Sequence, residues 1–238
     1  MIRLFALSAY AFFLAGFVYF IGFVNGIGVP KAIDDGTAAS VPVAVAIDLG
    51  LVLFFGLAHS LMARASFKRA WTRLIPPPAE RSVYVLVASA QIALLCWLWQ
   101  PLAQVHLWQT TGAAALALRA GSLLGWGIVL LSSHLIDHFE LFGLRQAFQA
   151  QAPARPAGLQ TPFLYRWVRH PLYLGILIGL WVTPSMTDGH LLLAAAMTAY
   201  ILVGVHHEER DLVRTFGDEY RRYQARVPRL LPLRLRSK

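Results

Sequence analysis

Six apolar stretches constrain this chain more than anything else in it: Leu4 to Val24, Val41 to Met62, Val83 to Trp99, Ala120 to Ile136, Leu172 to Val182 and Leu191 to Val205. Most approach the roughly 20 residues with which an α-helix spans a bilayer. With 57% hydrophobic and 14% charged residues, far from the soluble norm, the chain reads as an all-α integral membrane protein of about six transmembrane helices. The fifth stretch is short unless its helix begins near Tyr165, and Pro184 limits it on the other side. Five long helices plus a short hairpin helix is therefore the variant of the same reading.

Charge orients the bundle. Six crossings put both termini and the loops 64 to 81 and 137 to 170 on one side, which then holds all but Lys31 and Arg119 of the 21 Lys and Arg residues. By the positive-inside rule that side is cytoplasmic. The net charge of +9 borders membrane helices in short loops, where orientation and contact with anionic lipid account for it without nucleic acid. The first stretch exceeds the usual signal-peptide core and lacks a small-residue cleavage site, so it reads as a retained span. The lone Cys96 excludes an intrachain disulfide and a cysteine metal site. An Ala-, Pro- and Gln-rich patch from Ala147 to Pro162 separates span four from the RHPLYLG segment at 169 to 175. A single domain is expected over 1–238, with 1–140 forming the substrate side and 141–238 a cofactor-binding hairpin with an amphipathic tail.

Ionisable residues gather at the cytoplasmic helix ends: His59 and Ser60, then His134, Asp137, His138 and Glu140, then Arg169, His170 and Tyr173, then His206, His207, Glu208 and Glu209. Such groups inside or beside a bilayer need partners, which makes them site candidates. His134 and His138, four apart, share a helical face, a spacing open both to a haem or metal and to plain interfacial hydrogen bonding. No HExxH pattern accompanies them, and no metal is assigned. In RHPLYLG, Pro171 fits a first helical turn. Free N–H groups there, with Arg169, would suit an anionic group or equally anchor the helix at lipid headgroups. After span six, Leu212, Phe216, Tyr220 and Tyr223 form a stripe at i, i+4 and i, i+3, with Arg214, Arg221 and Arg222 mainly off it. This amphipathic helix ends before Pro228 and reads either as a membrane-surface helix or as a lid over a ligand.

RHPLYLG, the short hairpin and the ending EERDLVRTFGDEYRRYQARVPRLLP together resemble the C-terminal signature of the isoprenylcysteine carboxyl methyltransferase and phospholipid methyltransferase superfamily, over roughly 165 to 232. YFIGFVNGIGVPKAIDDG at 19 to 36, FFGLAHSLMARASFKRAWTRLIPPPAERSVYVL at 54 to 86 and DHFELFGLRQ at 137 to 146 resemble the bacterial methanethiol S-methyltransferases and their nurim-like relatives. The resemblance implies an intramembrane enzyme using S-adenosylmethionine in a cytoplasmic pocket made by the hairpin and tail. Carried over to this chain, it implies that Arg169, His170, Pro171, Tyr173 and Gly175 shape that pocket, that Glu208 and Glu209 close it, and that Arg145 and Gln146 join them. By charge complementarity Arg169 would meet a carboxylate and Glu209 a ribose or amino group.

The implied reaction is methyl transfer to methanethiol, giving dimethyl sulfide and S-adenosylhomocysteine. Another small thiol, an isoprenylcysteine carboxylate or a lipid amine are alternative acceptors. A non-catalytic nurim-like protein and a haem or quinone carrier are alternatives of other classes. Aromatic faces such as Tyr173, Trp167 or Phe216 suit a sulfonium. His59, His138 and Glu208 are the candidates to take the thiol proton. Beyond membrane lipids and the small thiol no partner is implied, and the resemblance points to a bacterial inner membrane with both termini cytoplasmic.

Overall fold

The structure is a computed structural model that describes residues 1–37, 39–149 and 158–232; residues 150–157 of the Ala-, Pro- and Gln-rich patch lie outside them. The helices are α1 (Ile2–Asn25), α2 (Val41–Ala63), α3 (Ala65–Trp71), α4 (Glu80–Leu98), α5 (Gly112–Ile136), α6 (His138–Leu141), α7 (Leu144–Phe148), α8 (Pro171–Trp181), α9 (Asp188–Phe216) and α10 (Asp218–Arg226). Of these, α1, α2, α4, α5 and α9 are long and apolar enough to cross a membrane, and α8 is the short apolar helix. The chain is thus an all-α integral membrane protein, apart from one two-stranded ribbon, β1 (His106–Gln109) with β2 (Ser185–Thr187).

The spanning helices and α8 close into a ring. α1 packs on α4, α4 on α2, α2 on α9, α9 on α8, α8 on α5, and α5 returns to α1. Inside it Phe20, Phe23, Leu95, Trp99, Trp126 and Leu193 form the buried apolar centre. The tightest contact is α5 against α8, and glycines permit it. A Cβ on Gly175 would stand 2.6 Å from the Gly125 carbonyl oxygen, and one on Gly125 would stand 2.6 Å from the Gly179 nitrogen. The pairs Gly121/Gly125 and Gly175/Gly179 share the four-residue spacing that lets helix backbones touch in lipid. Ser122 adds a hydrogen bond to the Gly179 carbonyl at 2.8 Å.

α8 begins at Pro171, with Phe163–Arg166 only a 3₁₀ turn before it, so the fifth stretch stays short. Its 11 residues reach about 16 Å at 1.5 Å each, roughly half a bilayer core. The remaining depth is covered by the extended segment 182–187. Irregular backbone is tolerated at such depth only where protein covers it, and Thr183, Met186 and Thr187 are buried. The β1 partner strand supplies that cover: Thr110 N–H donates to the Pro184 carbonyl at 2.8 Å and the Trp108 indole to the Thr183 carbonyl at 3.0 Å. Thr187 also donates to Asp34 at 2.7 Å, and Lys31 caps the end of α4 on the carbonyls of Trp97 and Trp99 at 2.7 and 2.8 Å. A single cap at this end of the bundle therefore joins three loops.

Candidate active site

At the opposite end, the motif and the tail meet on one buried carboxylate. Glu209, 3% exposed, projects from α9. Its Oε1 accepts from Arg169 Nε at 2.7 Å and pairs with His170 Nε2 at 3.2 Å, while its Oε2 accepts from Gln224 Nε2 at 3.3 Å and from Arg229 Nε at 3.1 Å. A charge removed from water needs such partners. Arg169 also donates to the carbonyls of Gln224 and Val227 in the last turn of α10, where a helix leaves carbonyls unpaired. The N–H groups of Arg169 and His170 donate to the carbonyls of Pro228 and Arg229 at 2.9 and 3.1 Å. The tail is thereby stitched to the start of α8.

The aromatic stripe faces this junction. Tyr220 and Tyr223 are buried while Arg214, Arg221 and Arg222 are exposed. The Tyr223 hydroxyl donates to the Tyr165 carbonyl, whereas the Tyr220 hydroxyl is buried with no hydrogen-bond partner among the described residues. Burial pushes the Tyr223 phenol up to about 12 and raises those of Tyr165 and Tyr220 as well, so all three remain protonated donors. Glu208, one residue before the buried hub, turns outward. Its side chain is 44% exposed, 3.8 Å from His170 Nδ1 and beside the Tyr173 hydroxyl.

A second tier lies deeper, between α2, α4, α8 and α9. His59 Nε2 is 2.6 Å from the Tyr84 hydroxyl, its ring packs between Phe55 and Tyr84, and its Nδ1 is buried without a partner among the described residues. Ser60 pairs with the Tyr200 hydroxyl at 3.3 Å. Arg81 stacks 4.6 Å over the Tyr84 ring and donates to the Leu141 carbonyl at 2.6 Å. Tyr173 follows His170 in the first turn of α8, their ring centroids 5.7 Å apart.

The arrangement brings His59, Glu208, Glu209, Arg169, His170, Pro171 and Tyr173 to one end of the bundle, in different roles. Arg169 and Glu209 are paired with each other. Gly175 faces α5. Arg145 is paired with Asp137 and lies 3.6 Å from Glu140, and Gln146 donates to the Glu140 carbonyl at 3.1 Å while its Oε1 is buried without a partner among the described residues. His138, at the start of α6, is engaged by other partners: its nitrogens meet Tyr10 at 2.7 Å and Ser133 at 2.8 Å, and burial followed by His134 holds its imidazole below the ordinary pKa. No hydrogen bond, ion pair or ring contact among the described residues joins it to His59 or Glu208. His134 does stack on it, centroids 4.0 Å apart, as their spacing requires. Trp167 is 67% exposed and turned away. Among the described residues no three His, Cys, Asp or Glu side chains converge as a metal site. Sequence reasoning missed Arg81, Tyr84, Tyr200, Gln224 and Arg229. The one available signal was Arg81 and Tyr84 at i, i+3 in the first turns of α4.

The family model for NnrU protein matches residues 47–233. Methanethiol S-methyltransferase 2 of Bradyrhizobium diazoefficiens is 48% identical over 97% of this chain and 90% of its own length, and the methanethiol S-methyltransferase of Mycobacterium tuberculosis is 48% identical over 94% and 93%. Nurim of Sus scrofa is 30% identical over 81% and 78%. No solved structure matches the chain significantly. The matched region runs from α2 to the stitched tail and includes both tiers, and on that basis the chain belongs to the NnrU protein family, alongside the methanethiol S-methyltransferases with which it aligns along nearly its whole length.

Proposed function

We propose that this protein transfers the methyl group of S-adenosylmethionine to the sulfur of methanethiol, giving dimethyl sulfide and S-adenosylhomocysteine. The near full-length similarity to enzymes bearing that name carries the proposal, and the two-tier site supports it. The upper tier offers what a polar, cationic methyl donor needs: the Tyr220 hydroxyl, unpartnered among the described residues, the outward Glu208 carboxylate, His170 and Tyr173. Gln146, which the resemblance adds to the pocket, brings a buried oxygen with no hydrogen-bond partner among the described residues. Arg169, Pro171 and Glu209 frame this tier, Arg145 holds the turn that carries Gln146, and Gly175 seats α8. When bound, the donor supplies an electrophilic methyl on a sulfonium, which aromatic faces stabilise.

The lower tier is the acceptor side. It lies at the inner end of the spans, where a small apolar thiol dissolved in the bilayer arrives directly. Its aromatic walls keep water out, which favours displacement between aligned groups. Glu208, open to cytoplasmic water, is the group suited to receive the thiol proton. His138, already hydrogen-bonded on both nitrogens, takes no part. The similarity to bacterial enzymes supports a bacterial inner membrane, and the charge distribution supports placing both termini and this site on its cytoplasmic face.

Headspace gas chromatography on detergent-purified protein given methanethiol and S-adenosylmethionine tests the proposal. Dimethyl sulfide that requires both, and that falls at least tenfold in Glu208→Gln, is expected. No product from protein that binds S-adenosylmethionine by calorimetry would reject methanethiol as acceptor.

A further inference from the structure

The lower tier contains an unfinished hydrogen bond. His59 sits in the last turns of α2, its Nε2 engaged by the Tyr84 hydroxyl at 2.6 Å and its Nδ1 buried with nothing to bond among the described residues. A neutral imidazole has one N–H and one lone pair, and the hydrogen bond made by one nitrogen decides which of them carries the proton. His59 Nε2 is the hydrogen-bond partner of the Tyr84 hydroxyl, and among the described residues that phenol has no other acceptor. A phenol in a dry site is a strong donor and a poor acceptor, so Tyr84 donates and Nε2 accepts. The ring proton then resides on Nδ1, as a buried donor whose cost only an acceptor brought from outside relieves.

The surroundings hold that geometry. Arg81 stacks on the Tyr84 ring at 4.6 Å and is anchored on the Leu141 carbonyl. Tyr200 fits against Gly56, where a Cβ would stand 3.0 Å from its ring, and is tied through its hydroxyl to Ser60. With Phe55 and Tyr84 it encloses His59 in aromatic rings.

We propose that His59 donates its Nδ1–H to the sulfur of the methyl acceptor, and that Tyr84 is the positioning residue that holds His59 in the tautomer able to do so. The inference rests on methyl transfer to a thiol as the reaction. In that step the acceptor's S–H bond breaks and its proton passes to Glu208. The sulfur lone pair forms the new carbon–sulfur bond, and the donor's methyl–sulfur bond breaks with its electron pair left on the donor sulfur. As the proton departs, the acceptor sulfur gains thiolate character, and a preorganised N–H aimed at it stabilises that charge and fixes the attacking lone pair. His59 is thus a donor and Glu208 the base.

Three variants separate these roles. His59→Asn keeps an N–H near the position of Nδ1 but cannot take up a proton; His59→Ala removes both capacities; Tyr84→Phe releases the tautomer. Expected are a loss in kcat of about a hundredfold in His59→Ala, recovery of most of it in His59→Asn, and a loss of about tenfold or more in Tyr84→Phe because a wrong tautomer misplaces the proton. Calorimetric affinity for S-adenosylmethionine should stay at the wild-type value in all three, which reports an intact fold and donor site. The second readout needs no turnover. In nitrogen-15 spectra of histidine-labelled protein in nanodiscs, the resonance pair lost in His59→Asn should show Nδ1 protonated in wild type and a tautomer mixture in Tyr84→Phe. His59→Asn as inactive as His59→Ala, or a wild-type proton on Nε2, would overturn the inference. Wild-type protein that binds S-adenosylmethionine yet makes no dimethyl sulfide would instead overturn the reaction, and the sulfur contact with it, while the tautomer is decided by the spectra alone.

Discussion

Adjacent glutamates on α9 do opposite things because a helix turns about 100° per residue. Glu209 points into protein and meets Arg169, His170, Gln224 and Arg229; Glu208 points toward solvent. An isolated neutral replacement at 209 would leave buried Arg169 facing an amide, the situation in which a broken buried pair costs about 3 kcal/mol or more. Glu209→Gln should therefore lower the thermal midpoint in detergent markedly, while Glu208→Gln should leave it nearly unchanged and lower activity instead. Equal midpoints for the two would contradict the hub assignment. Tyr220 is the reverse case, because its buried hydroxyl bonds nothing among the described residues. Tyr220→Phe should keep or slightly raise stability yet weaken S-adenosylmethionine binding about tenfold, the worth of one hydrogen bond, as read by calorimetry. Unchanged affinity would remove Tyr220 from the donor site.

Among the elements, α8 is the one whose length and seat are unusual. Because it is too short to cross alone, its position depends on contact with α5 and on the β1–β2 ribbon beyond its end. The glycine contacts give a direct comparison. Gly175→Ala would press a methyl against the Gly125 carbonyl and the Val129 nitrogen, both backbone atoms that cannot swing aside, and should cost about 1–3 kcal/mol as overpacking does. Gly127→Ala, two residues along α5 from the contact and with nothing within 4 Å, should be neutral or slightly stabilising. Thermal midpoints of the two variants check this, and a tolerated Gly175→Ala would mean that α5 and α8 are not in backbone contact in the membrane.

For the molecule as a whole, the ring of helices sets one polar end against the other: a cap fastened by Lys31, Asp34 and the ribbon, and an opposite end where the tail returns to the start of α8. Both termini should accept a cytoplasmic fluorescent reporter, and a periplasmic reporter should be active in the loop between α4 and α5; the opposite pattern at either terminus would break the six-crossing topology. The order of the apolar helices, the shortness of the fifth, the start of α8 at Pro171 and the aromatic stripe of the tail, though not what that stripe faces, were legible in the chain, because they follow from local periodicity, from the missing N–H of proline and from the thickness of the bilayer. The family was legible too, from ordered motifs. What lay beyond that reading were the partners: that Arg169 satisfies Glu209 forty residues away, that Gly175 meets Gly125, that His138 is bound to Tyr10 at the other end of the chain while His59 finds Tyr84. Periodicity says which way a side chain faces, but only the packing of one helix on another decides what it meets there, and buried polar groups take whichever partner that packing supplies.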